Sequence, residues 1–208
     1  MKNLIYGLMS DPRIYLWIQH SLGADRLRKL CLDKFVQPKP GERILDLGCG
    51  PGYVLEYLPA VDYVGFDTEA KYIEFARKRY ADRGAFHCEV FSERQAASLK
   101  PFDAILLFGL LHHLDDNEAG GLLGLIGGCL KPSGRVVTLD PCFTPDQSRI
   151  SRFIGESDRG RFVRTAAAYD DLARPHFSDL SAEVVHNACR IPSTERIMRL
   201  GDPVCANI

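Results

Sequence analysis

The sequence predicts an α/β domain: an open, doubly wound, mostly parallel sheet with helices on both faces and further helices ahead of the first strand. Three observations predict it. From residue 43 to residue 139 short β-type runs alternate with helix-period segments, and strands separated by helices pair in parallel through right-handed crossovers. The first of these runs closes in a cluster of glycines immediately before a helical segment. The chain has 208 residues, a length that suits one domain with its own core, so residues 1–208 are read as a single unit.

The elements follow in order. Ile14, Trp17 and Ile18, then Leu27, Leu30, Cys31 and Phe35, keep a helical period on either side of Gly23, giving two helices within an N-terminal segment of residues 1–40. Ile44 to Leu47 is the first strand. Tyr53 to Leu58 reads as a helix stopped by Pro59, Val61 to Phe66 as a strand, and Thr68 to Tyr80 as a helix. Ala85 to Val90 and the apolar Asp103 to Phe108 read as strands. Asn117 to Leu130 carries an apolar helical face, and Arg135 to Leu139 is the next strand. Residues 141–165 are polar, arginine-rich and weakly periodic, which reads as a functional loop inserted on the substrate side. Tyr169 to Phe177 is a last helix, and Ala182 to Asn187 with Glu195 to Leu200 are two closing strands.

Composition excludes several classes. Lys plus Arg number 26 and Asp plus Glu 27, a formal charge of -1 that leaves no basic coat for nucleic acid. Hydrophobic residues at 46% and charged residues at 25% rule out a disordered or fibrous chain. No window approaches the roughly 20 apolar residues that span a bilayer. The seven cysteines are scattered with no Cys-x-x-Cys pair, which points to a reduced, cytoplasmic setting without structural zinc. No metal site is expected, and the oligomeric state stays open.

The strongest chemical signal is Asp46-Leu47-Gly48-Cys49-Gly50-Pro51-Gly52. Glycines at alternate positions let the backbone turn sharply and approach a ligand with no Cβ in the way, and the helix that follows is expected to present free amides. Tyr53 stands where a dinucleotide Gly-x-Gly-x-x-Gly fingerprint needs its third glycine. Asp67 ends the second strand, where a carboxylate accepts from both hydroxyls of a ribose; it can equally cap the helix that follows.

Together these residues resemble the class I S-adenosylmethionine-dependent methyltransferases. Ile44 to Gly52 is similar to the family's first motif, Val64-Gly65-Phe66-Asp67 to its second, and Phe102 to Leu107 to its fourth strand. Leu111-His112-His113-Leu114-Asp115-Asp116 and Leu130-Lys131-Pro132-Ser133-Gly134-Arg135 are similar to the two landmarks that follow. The resemblance implies a Rossmann-like sheet of seven strands whose last two form an antiparallel hairpin. It implies that S-adenosyl-L-methionine is the donor, leaving as S-adenosyl-L-homocysteine, and that Asp46, Gly48, Cys49, Gly50, Asp67, Thr68, Glu89, Val90, Phe108 and Gly109 hold it. The family usually has Asp after the third strand to meet the adenine amino group, where this chain has Glu89.

The donor's methyl is already activated on a sulfonium, so the protein chiefly aligns an incoming lone pair and excludes water. His112 and His113 are the candidate catalytic bases, with capping of the next helix as their other reading. Tyr6, Tyr15 and Trp17 are candidates for a lid over donor and acceptor, Tyr15 among the substrate-binding residues, or for core packing. Arg159, Arg161 and Arg164 are candidate ligands for an anionic group on a small-molecule acceptor. Asp140-Pro141-Cys142-Phe143 resembles two methyltransferase boxes but follows the wrong strand for either. The rival readings are a nicotinamide-dependent oxidoreductase, a non-catalytic S-adenosylmethionine-binding protein and an RNA methyltransferase.

Overall fold

The structure is a computed structural model that describes residues 11–158 and 160–204. Helix α1 (Pro12–Leu22) starts on Asp11, whose carboxylate accepts from the amides of Arg13 and Ile14, and ends where Gly23 turns left-handed at φ 82°. Helix α2 (Ala24–Cys31) continues into a π-helical turn, Leu32–Val36. Then come β1 (Arg43–Leu47), a 3-10 turn at Tyr53–Glu56, β2 (Asp62–Asp67), α3 (Ala70–Arg79) and β3 (Gly84–Cys88). They are followed by α4 (Glu93–Ser98), β4 (Phe102–Phe108), a 3-10 turn at Leu111–His113, α5 (Asp116–Gly127) and β5 (Leu130–Phe143). The chain finishes with α6 (Arg149–Glu156), the two-residue β6 (Arg164–Thr165), α7 (Ala166–Ala173), β7 (Phe177–His186) and β8 (Thr194–Pro203).

The sheet runs β3-β2-β1-β4-β5-β8-β7, with β6 pairing off this path against β5. The pairs β1–β2, β1–β4, β2–β3 and β4–β5 are parallel, while β8 lies antiparallel between β5 and β7. This is the expected doubly wound sheet with its antiparallel closing hairpin. One face packs Leu27, Cys31, Phe35, Leu55, Ile73 and Ala76 against Ile44, Leu106 and Val137. The other packs Ala119, Leu123, Ile126, Tyr169 and Ala173 against Leu45, Ile105 and Val136. Burial of both faces is why β1 and β4 place apolar residues at consecutive positions, Ile44 and Leu45 in the first and residues 104–108 in the second. At the strand bottoms the buried Arg135 ties the N-terminal helices to the sheet, donating to the carbonyls of Val36, Gln37 and Asp103 and to Glu42.

Four local expectations are corrected. The segment after the glycines is only a four-residue 3-10 turn, and α4 forms where no helix was expected. Phe177 opens β7 instead of ending a helix. The segment 141–165 is not one loop: β5 runs on to Phe143, and α6 occupies its centre. Ser148 caps α6 by accepting from the Ser151 amide, and the buried Ser151 hydroxyl bonds Thr194 on β8 at 2.8 Å.

Candidate active site

One cleft of about 1250 Å3 opens at the carboxyl ends of the parallel strands, where ligands bind in open α/β sheets. Its floor begins with the glycine turn. The amides of Gly48 and Cys49 both donate to the Phe66 carbonyl (2.8 and 3.0 Å), which fastens the turn to β2. Gly50, at φ 55°, faces open space within 4 Å of where a Cβ would stand, so the cleft meets bare backbone there. Asp67 spans the rim: Oδ2 accepts from the Gly50 amide and Oδ1 from the Glu69 amide, each at 2.8 Å. Each carboxylate oxygen has a second lone pair left for a ligand hydroxyl. Capping and ribose binding are therefore compatible in one side chain.

Thr68, Glu89, Val90, Phe91, Phe108 and Gly109 line the same end. Glu89 is held by Gln95 Nε2 at 2.5 Å and Arg94 at 3.1 Å, both on α4. Gly109, at φ 73°, donates its amide to the Leu139 carbonyl at 2.7 Å. Above them Tyr15 on α1 and Tyr72 on α3 meet ring to ring, 5.3 Å between centroids, and both line the cleft.

At the far end the 3-10 turn after β4 delivers His112. The register Phe108↔Leu139 places Asp140 beside this turn, although 28 residues separate the pair in sequence. Asp140 Oδ1 accepts from the His112 amide at 3.1 Å and meets Nδ1 at 2.8 Å, while Nε2 lies 3.2 Å from Asp158. Burial works against the imidazolium, but the hydrogen bonds and charges of Asp140 and Asp158 outweigh it and raise His112 to about 9. His112 is thus protonated at neutral pH in this arrangement. His113 is exposed at the mouth, its ring 4.2 Å from that of His112.

The structure gathers most of the expected residues but not all. Asp46 is 3% exposed and lies beneath the turn, not in the cleft: it accepts from the Tyr63 hydroxyl at 2.6 Å, and burial raises it to about 7 despite that bond. Cys49 is likewise buried, its side chain turned toward Gly65. Arg164 is 8% exposed and structural, its fork donating to the carbonyls of Leu111, Phe162 and Leu114 and to Asp116. Arg161 is exposed and off the cleft wall. Arg159 and Tyr6 lie outside the described residues, and Trp17 points to solvent at 70% exposure. Cys142 is buried and its thiol pushed up to about 12, chiefly by burial, which removes it as a nucleophile.

Sequence reasoning missed several polar residues in or behind the cleft. Arg28 lines it with its guanidinium 5.4 Å from the Tyr53 ring and Nη1 buried without a hydrogen bond. Tyr72, Asp158 and Glu195 also line it, and Asp140 supports it from behind. Register and helix packing bring these together, and no local motif announces them. Among the described residues no cluster of His, Cys, Asp and Glu suits a metal ion, and no helix is long and apolar enough to cross a membrane.

A cleft with a glycine turn after β1, an acid after β2 and a seven-strand path ending in an antiparallel hairpin defines a nucleoside-binding α/β protein of the methyltransferase type. Comparison with known proteins carries this further. The family model for the methyltransferase domain matches residues 18–182. The chain belongs to that family, the S-adenosylmethionine-dependent methyltransferases of class I. It is 31% identical over 157 residues to phosphoethanolamine N-methyltransferase 1 of Arabidopsis thaliana, covering 70% of this chain and 30% of that protein. It is 30% identical over 182 residues to a ubiquinone/menaquinone biosynthesis C-methyltransferase of Desulfotalea psychrophila, covering 82% and 72%. The chain thus spans about a third of the length of the plant relative it matches. Among solved structures, an S-adenosylmethionine-dependent methyltransferase from Archaeoglobus fulgidus superposes with TM-score 0.68 at 19% identity, covering 90% of this chain and 99% of that one. A Haemonchus contortus phosphoethanolamine N-methyltransferase 2, solved with phosphomonomethylethanolamine and S-adenosylhomocysteine, gives 0.69 at 17% identity, covering 96% and 57%. These relatives favour none of the three rival readings.

Proposed function

We propose that this chain transfers the methyl group of S-adenosyl-L-methionine to a small-molecule acceptor. The observation that carries the reading is the continuity of one cleft, from the Gly48–Gly50 backbone and Asp67 at one end to His112, Asp158 and Glu195 at the other. The residues fit the donor chemically. Asp67 keeps lone pairs for ribose hydroxyls, Gly50 leaves room for close approach, and Arg28, whose Nη1 pairs with Asp25 at 3.6 Å without a hydrogen bond, offers a guanidinium for the amino-acid carboxylate. When bound, the donor supplies a methyl on positive sulfur, which needs no further activation. Glu89, Val90 and Phe108 would flank the base, and Gly109 would present its backbone to the donor.

The remaining work falls to this chain's own groups. Tyr15 and Tyr72 close the donor end against water. His112 holds a proton between Asp140 and Asp158, so as it stands it donates a hydrogen bond and orients the acid beside it. It turns into a base when Asp158 leaves Nε2. Similarity to enzymes named for phosphoethanolamine N-methylation and for ubiquinone/menaquinone biosynthesis supports a small molecule as acceptor. The free cysteines and balanced charge support a reduced, cytoplasmic setting and no nucleic-acid partner.

Thermal shift with S-adenosylmethionine, S-adenosylhomocysteine and NAD tests the reading. A ligand at about 100 times its Kd adds about 2.7 kcal/mol to folding stability. Both sulfur nucleosides should raise the melting temperature and NAD should not. Stabilisation by NAD alone would return the chain to the oxidoreductase reading.

A further inference from the structure

Among the described residues, the acceptor end of the cleft is rich in oxygen acceptors and carries no Lys or Arg, its cation being the protonated His112. Its wall at the β7–β8 turn and the start of β8 carries Ser193, Thr194 and Glu195. Thr194 is satisfied, bonding Ser151 at 2.8 Å and His186 at 3.2 Å. Its two neighbours are not. Ser193 is 7% exposed, and its hydroxyl is buried with no hydrogen bond, though the Cys189 thiol is beside it. Glu195 is half-buried and faces the cleft, its carboxyl without a hydrogen bond or ion pair to any described residue. Asp140, 1% exposed, leaves its Oδ2 without a partner just behind. Arg28 is the one Lys or Arg among the described cleft-lining residues; it sits over Tyr53 by the glycine turn, and its charge also reaches the Cys189 thiol beside Ser193 but is not among those acting on Glu195.

The charged groups that reach Glu195 come from three elements: Asp140 on β5, Asp158 after α6, and His112 on the turn after β4. Two of the three are negative. The buried, unpartnered Ser193 hydroxyl and Asp140 Oδ2 cost free energy that a positively charged hydrogen-bond donor beside the Glu195 carboxyl recovers. Resting on the methyl-transfer reading above, we infer that Glu195 and Ser193 form a subsite for a protonated amine, so that the acceptor atom is nitrogen and the acceptor binds as an ammonium ion.

The chemistry closes on this placement. An ammonium acceptor gives one N–H proton to the Glu195 carboxylate, which frees the nitrogen lone pair. That pair forms the N–C bond to the methyl while the S–C bond breaks, its electrons returning to sulfur. The products are an N-methylated ammonium, a neutral thioether and one proton held by Glu195. Burial, with Asp140 and Asp158 adding to it and His112 opposing, pushes Glu195 up to about 8. At neutral pH it therefore keeps its proton until a cation replaces it. The anion-binding expectation attached to Arg161 and Arg164 gives way, because neither reaches this cleft.

The test is calorimetric binding to the protein saturated with S-adenosylhomocysteine, using three probes of one shape: benzylamine, benzyl alcohol and benzoate. The expected result is benzylammonium at least about tenfold tighter than the alcohol, with benzoate weakest, a charge-assisted bond being about twice as strong as a neutral one. Amine binding at pH 7 should also release protons, seen as a dependence of the heat on buffer ionisation. In Glu195→Gln both the preference and the proton release should vanish while S-adenosylhomocysteine affinity is unchanged, which also certifies the variant's fold. Equal binding of amine and alcohol, or tighter binding of benzoate, overturns the amine subsite and leaves the methyltransferase reading standing. Failure of wild-type protein to bind S-adenosylhomocysteine overturns that reading and the subsite with it.

Discussion

At the scale of single residues, what decides the chemistry is which groups share a proton. His112 is caught between two carboxylates, and the two are not equivalent. Asp140 is buried on a strand and also accepts from the His112 amide, whereas Asp158 stands partly exposed on the segment after α6, its Oδ1 also accepting from the Gly160 amide at 2.7 Å. Replacing Asp158→Asn should therefore lower the His112 titration midpoint from about 9 toward the ordinary 6.5 while leaving the Asp140 bond in place. NMR titration of the imidazole measures this, and a midpoint that stays near 9 would show that Asp158 contributes nothing. Residues whose role is local were legible in the sequence. The glycines announce themselves by their spacing in the turn after β1, and Asp67 by its place at the end of β2. Asp140 and Glu195 were not legible, because they reach the cleft only through the registers Phe108↔Leu139 and Pro141↔Glu195. The arginines misled for a physical reason: composition reports that a guanidinium is present, and only packing decides whether it faces a ligand or, like Arg164, three backbone carbonyls.

At the scale of elements, the glycine turn divides its work among its members. All three of its glycines have positive φ, yet their surroundings differ. A Cβ on Gly52 would stand 2.9 Å from the Phe86 ring and 3.2 Å from Tyr80, inside the core, while one on Gly50 meets nothing within 4 Å. Gly52→Ala should therefore destabilise the fold by about 1–3 kcal/mol, a left-handed backbone penalty plus a clash. Gly50→Ala should cost only the backbone part of that but weaken S-adenosylhomocysteine binding at least as much as it weakens the fold. Urea denaturation and calorimetry on the two variants separate these effects, and equal losses of stability with no loss of affinity at Gly50 would contradict the assignment. The same scale explains which elements could be read. Buried strands and α5, with its Asp115 cap accepting from the amides of Asn117 and Glu118, declare themselves by pattern. The six-residue α4 and eight-residue α6 do not, because each covers too few turns to establish a period. Of the α6 residues only Ser151 is buried, and its Thr194 partner lies 43 residues away.

At the scale of the whole molecule, three groups, Asp46, His112 and the half-buried Glu195, pull stability in one direction. Asp46 is raised to about 7 and Glu195 to about 8, both chiefly by burial, and His112 is raised to about 9 by its two carboxylates against the opposing effect of burial. Each binds its proton more tightly folded than unfolded, so unfolding releases protons throughout the interval between the two values. Stability must then fall as pH rises: from about 4 to 7 through Asp46, from about 4.5 to 8 through Glu195, and from about 6.5 to 9 through His112. Within its interval each group contributes a slope of up to about 1.4 kcal/mol per pH unit. On the acid side Glu42 and Asp103, like Asp158 beside His112, act the other way. Burial opposes their ionisation, but bonds from Arg135 and the Lys39 amide to the first, and from the Arg43 amide and Lys131 to the second, hold both below their usual values. Their contribution is present above the ordinary carboxylate range and lost as pH drops through it. The stability maximum should therefore lie toward the acid side of the usual range of about 5–8. Urea unfolding at half-unit intervals from pH 4 to 9 measures the curve, and Asp46→Asn combined with Glu195→Gln should flatten its descent between pH 5 and 7. A curve that rises from pH 5 to 7 in the wild type would mean that Asp46 and Glu195 are ionised in the folded protein, and the proton release expected on amine binding would then be absent as well.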